Sequence, residues 1–89
     1  MNAVISVIGK DNVGIIAKVS NACAGRGANI LDVSQSVMKD YFAMTMVVDI
    51  AVLSCPFAEF VDELTKLGIE LGMDIRTMHE DIFNSMHKV

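Results

Sequence analysis

Apolar and polar positions alternate along this chain with two periods, and the changes between them mark its elements. Ala3 to Ile8 is a short, β-branched, mostly apolar run. Such a run predicts a strand buried on both faces, hence central in its sheet. Ile15, Ile16, Val19, Ala22 and Cys23 then recur at helical spacing, with Lys18, Asn21 and Arg26 mainly off that stripe. Gly25 and Gly27 mark the end of this helix, where a left-handed residue is wanted.

The next stretch, Ala28 to Ile50, is β-branched and carries few helix signals. Lys39-Asp40 is its one plausible turn. A two-residue loop there sets Val37 against Phe42, Gln35 against Met44, Val33 against Met46 and Leu31 against Val48. The strongly apolar positions of both strands then share one face. Asp32, Ser34 and Ser36 fall on the other, opposite Val47, Thr45 and Ala43. A slip of one residue would scramble this match, so the pattern predicts a hairpin with one buried face. Lys-Asp is not the favoured turn pair, and a four-residue loop would keep the same pairing.

Ser54 is a good helix cap and Pro56 suits a first turn. Phe57, Phe60, Val61, Leu64, Leu67 and Leu71 form the clearest amphipathic stripe, ended by Gly72. Met73 to Glu80 predicts a last strand. Ile82, Phe83 and Met86 in the tail predict a short helix against the body or a neighbour. The order β-α-β-β-α-β, with short right-handed connections, predicts an α+β ferredoxin-like sandwich. Residues 1–89 form a single domain with a four-stranded antiparallel sheet, two helices on one face and a short C-terminal helix.

Composition narrows the role. At 89 residues and 53% hydrophobic, the chain is apolar for so small a body, so some of that surface is expected to meet a partner. The net charge of −4 and the scatter of its seven basic residues argue against direct nucleic-acid binding and against an anionic membrane. Cys23 and Cys55 form no CxxC motif. With no secretory leader in "MNAVISVIGK", they predict reduced thiols and a cytoplasmic location.

The fold alone names no function. The first strand has no aromatic for stacking a base, and the first loop has neither a cysteine pair nor an arginine for phosphate. Gly9-Lys10-Asp11 does not complete a Walker loop, and "HEDIF" lacks the second histidine of a zinc helix. No catalytic constellation, metal site or cofactor site is predicted. Cys23 reads as core, and His79 as a surface or hydrogen-bonded residue. Glu80-Asp81 reads as a solvated strand end.

The loop "GKDNVG" is more informative. It leads from a central strand to a helix start, where unpaired amides favour an anion. Asp11 is placed to cap that helix, and Gly14 lets a ligand approach its first turn. Two readings stand on the loop alone: a capped turn, or a site for a zwitterion such as an amino acid.

"GKDNVGIIAKVSNACAGRGANILDVSQ", Gly9 to Gln35, resembles the ACT domain family through Gly9, Asp11, Gly14, Ile15, Gly27, Asn29 and Ile30, in order and spacing. The predicted element order agrees over the whole chain, and small free-standing members are the best likeness. The resemblance implies amino-acid sensing at a homodimer interface, between the first loop of one copy and the second strand of another. By position it points to Asp11, Asn12, Val13, Gly14 and Asn29 as ligand-binding residues. Val13 replaces a proline common in relatives, which loosens the loop. An ionised Asp11 offers only acceptors, which leaves a ligand carboxylate to the backbone amides. The expectation is a non-catalytic regulatory module. The alternatives are a module that binds only another protein, and a small enzyme with Asp11, His79 or Cys55 converging across a dimer.

Overall fold

The computed structural model describes residues 1–10 and 14–87. The elements run β1 (Asn2–Lys10), α1 (Ile15–Gly25), β2 (Asn29–Met38), β3 (Tyr41–Asp49), α2 (Phe57–Leu71), β4 (Asp74–His79) and α3 (Glu80–Met86). The strands form one antiparallel sheet in the order β2-β3-β1-β4. This is the predicted ferredoxin-like βαββαβ arrangement, with the terminal helix added.

β1 is central because it carries apolar side chains on both faces. Ala3, Ile5 and Val7 enter the main core with Phe42, Met44, Met46 and Val48 of β3 and Ile75 of β4. Ile15, Val19 and Cys23 of α1 and Phe60 and Leu64 of α2 close that core from one side. Val4 is buried outside this cluster, between Val47 and Met78 on the opposite face. Ile8 lies on that same face and is exposed, so two-sided burial ends before the strand does. α3 turns back against β1 and β4.

The hairpin has the predicted register at Val37–Phe42, Gln35–Met44 and Val33–Met46, and its turn holds two residues. Lys39 has a positive φ of 55° there. Two expectations fail. Val48 faces Ile30, and a register shift between Ile30 and Asp32 leaves Leu31 as the extra residue of a bulge. Nor is one face of β2 buried: Leu31 is 51%, Val33 37% and Val37 60% exposed. β2 is an edge strand, and of its described apolar residues only Ile30, at its start, packs partly against the core.

Helix starts also differ. α2 begins at Phe57 with Pro56, in extended conformation, at the cap position. The Pro56 carbonyl accepts from Glu59 at 3.0 Å and Phe60 at 3.2 Å. Ser54 is not the cap because it lies two residues before that position; its amide donates to the Arg26 carbonyl at 2.8 Å. The strand predicted to run to Glu80 stops at His79, and Glu80 and Asp81 open α3 instead. Their charges suit the positive end of a helix.

Cys23 is fully buried, and burial pushes its thiol up from 9.0 to about 11. The folded chain holds this proton more tightly than the unfolded chain. The stability it contributes is therefore complete below pH 9 and is lost as pH rises from about 9 to about 11, at about 1.4 kcal/mol per pH unit. Denaturant titrations across this range should show a steeper alkaline loss for the parent than for Cys23→Ala. Equal slopes would contradict the assignment.

Candidate functional site

The predicted ligand-binding residues fall at two places. β1 ends at Lys10, opposite Tyr41, with the side chain of Met73 closed over Gly9. Asp11, Asn12 and Val13 lie outside the described residues. α1 opens at Ile15, so the cap position predicted for Asp11 is taken by Gly14. Gly14 has φ 86°, in the left-handed region, and among the described residues beyond its chain neighbours nothing would lie within 4 Å of a Cβ built there. Backbone conformation, rather than crowding within the chain, is what asks for glycine at this position.

The Gly14 carbonyl accepts from Lys18 at 3.0 Å. The amides of Ile15, Ile16 and Ala17 lie at the start of the helix, before that first hydrogen bond within it. The first turn of α1 holds no acidic side chain. Its positive end is thus free of a counter-charge from its own turn.

Asn29 opens β2 and is exposed. It faces Asp49, which in turn faces Asn2. Asn2 starts β1, whereas the loop begins after Lys10 at its far end. Eight residue steps of strand separate them, about 26 Å at 3.3 Å per residue. A single chain therefore does not bring Gly14 and Asn29 together.

The other residues considered earlier have packing roles. The half-buried His79 ring stacks on Phe57 with centroids 4.1 Å apart. Cys55 is half-buried and packs against the core. A cleft of about 380 Å³ beside His79 is lined by Met1, Asn2, Glu80 and Asp81, and Asn2 Nδ2 donates to Glu80 Oε2 there at 3.1 Å.

The uncovered edge of β2 is the feature that sequence reasoning missed. Val33 and Val37 pair with the buried Met46 and Phe42, so they stand on the helix side of the sheet, yet among the described residues Val37 is left largely uncovered and Val33 partly so. An apolar strand face reads the same in sequence whether its cover comes from the chain or from elsewhere. The apolar excess in composition was the only signal.

A two-layer βαββαβ module with an exposed apolar edge strand is a fold that serves many functions, so its class is read from its relatives. The chain belongs to the ACT domain family, whose model matches residues 2–78. ACT domains are regulatory, and proteins built on them commonly oligomerise and bind small molecules. The chain is 52% identical to a UPF0237 protein of Listeria innocua over 89 residues, the whole of both chains. Among solved structures it is similar to an ACT domain protein from Streptococcus pneumoniae, with TM-score 0.81 and 38% identity over 93% of each chain. It also resembles the regulatory subunit of aspartate kinase from Thermus thermophilus, with TM-score 0.65 and 30% identity. That match covers 85% of this chain and 49% of the subunit.

Proposed function

We propose that this chain is a non-catalytic regulatory module of the cytoplasm. Two copies join along β2 and hold a small metabolite, such as an amino acid, at their interface. The carrying observation is the placement of Gly14 and Asn29 at opposite ends of one sheet. Antiparallel pairing of two β2 edges reverses one copy, which sends the start of its β2 toward the other copy's β1–α1 loop. A site built from both places is complete only in the dimer.

The exposure of Val33 and Val37 supports a second copy as the partner. Both lie on the helix side, so a lone added strand would leave them wet. A second copy brings a helix layer as well as a strand. At the interface, the amides of Ile15, Ile16 and Ala17 suit a carboxylate. Asp11 suits an ammonium group, and Asn29 can donate and accept. Because the ligand touches both copies, its binding is linked to their association.

Sedimentation velocity and calorimetric titration with the common amino acids test this. The expected result is a dimer at micromolar concentration that releases heat and gains thermal stability with at least one of them. Asn29→Ala should lose the heat and keep the dimer. Val33→Lys with Val37→Lys should give a folded monomer that binds none. A monomeric parent chain would sink the proposal. A dimer without heat would favour a protein-binding module, a reading supported by the exposed Ile82 and Met86 of α3.

A further inference from the structure

The free edge of β2 is not uniform along its length. The two-residue turn at Lys39–Asp40 makes Met38 and Tyr41 the hydrogen-bonded pair that closes the hairpin. Along such a strand, the N–H and C=O of one residue point to the same side, and successive residues alternate. Ser36 and Ser34 therefore bond inward to β3. Val37, Gln35 and Val33 turn their backbone groups to the free edge. The Val33 amide is already engaged, donating to Asp32 Oδ1 at 2.9 Å. Just before it, the bulge at Leu31 takes the strand out of register. At the other end the turn stops the strand. The edge left open to a partner thus runs from Ser34 to Met38, and its middle residue is Ser36.

We propose that two copies pair as antiparallel β2 strands on a two-fold axis at Ser36, and that Asp32 sets this register by holding the Val33 amide. The inference rests on the dimer reading above. With the axis at Ser36, Gln35 of each copy faces Val37 of the other and exchanges hydrogen bonds with it. Ser36 meets its own counterpart as a pair that is not hydrogen-bonded. Moving the axis to Gln35 would set Val33 against Val37 and call on the amide that Asp32 occupies. Asp32 is thus a register-setting residue that also keeps this end of the edge from pairing without limit.

The test uses the full chain in a Cys55→Ser background with copper–phenanthroline as oxidant. Opposed residues of a pair that is not hydrogen-bonded have Cα atoms about 4.5 Å apart, within reach of a disulfide. Ser36→Cys is therefore expected to crosslink most of the protein into covalent dimers, while Ser34→Cys and Gln35→Cys remain largely uncrosslinked. Asp32→Ala frees two amides across the axis. It is expected to tighten the dimer roughly tenfold by sedimentation equilibrium, and to lower crosslinking at Ser36 as the axis slides toward Gln35. No crosslink at Ser36, preferred crosslinking through Ser34→Cys or Gln35→Cys, or an Asp32→Ala dimer no tighter than the parent overturns the register and leaves an edge dimer standing. A monomeric parent chain removes both.

Discussion

Phe60→Ala is expected to lower the melting temperature by roughly 15–30 °C, enough to leave much of the protein unfolded near physiological temperature. Phe60 is the largest of the fully buried side chains. It projects from α2 into a core that also takes Ile5, Val7, Met44 and Met46 from the sheet. Truncation removes its transfer free energy and leaves a cavity that a close-packed interior only partly refills, at a cost of about 3–5 kcal/mol. A chain of this size has roughly 4–13 kcal/mol of stability in total, so the loss is a large share. Calorimetry or circular dichroism melts will measure it. A fall of less than about 5 °C would place Phe60 outside the core.

The second large effect is a contrast between two glycines that helix propensity alone treats as equals. Replacing either by alanine gains up to about 1 kcal/mol in a helix interior. At Gly25 a Cβ would meet nothing within 4 Å, so Gly25→Ala should be neutral or stabilising. At Gly68 a Cβ would lie 2.8 Å from the Met73 carbonyl oxygen and 2.9 Å from Ile75 Cγ1. Met73 cannot give way easily, because its amide donates to the Gly68 carbonyl at 2.8 Å. Gly68→Ala must push α2 away from the start of β4 and is expected to cost about 2 kcal/mol net. Denaturant melts should therefore show Gly68→Ala clearly destabilised and Gly25→Ala unchanged or stabilised. Equal shifts would mean that the helix is not seated on that strand.

Where the sequence was legible, a long or strict period made it so. The alternation around Lys39-Asp40 locates six paired rows of the hairpin, because a one-residue error inverts every side chain. The stripe from Phe57 to Leu71 locates α2. The bulge at Leu31 is invisible for the opposite reason: one extra residue on an edge strand changes no polarity pattern, and Ile30 substitutes for it opposite Val48. Ser54 is a good cap by residue type, yet the helix starts two residues later, with Pro56 at the cap. The exposure of Val33 and Val37 was illegible because apolar character records only that a cover exists. For the candidate site, the family pattern points to Gly14 and Asn29 as places in the chain. Their separation across the sheet follows only from strand order.

The contact between Ser54 and Arg26 has a consequence for how the fold opens. Arg26 and Gly27 end the first β-α-β crossover, and Ser54 begins the second. The Val52 carbonyl sits so close to Gly27 that a Cβ there would approach it to 2.9 Å. Arg26 also reaches across to Glu63 of α2, Nε to Oε2 at 2.6 Å. The two crossovers are thus fastened to each other at one end of the molecule, independently of the sheet. A fluctuation that frays one must release the other, so both belong to a single cooperative unit. In hydrogen–deuterium exchange the Ser54 amide, although in a loop, is expected to exchange as slowly as the helix amides; exchange at the rate of the surrounding surface would show that the two crossovers open separately.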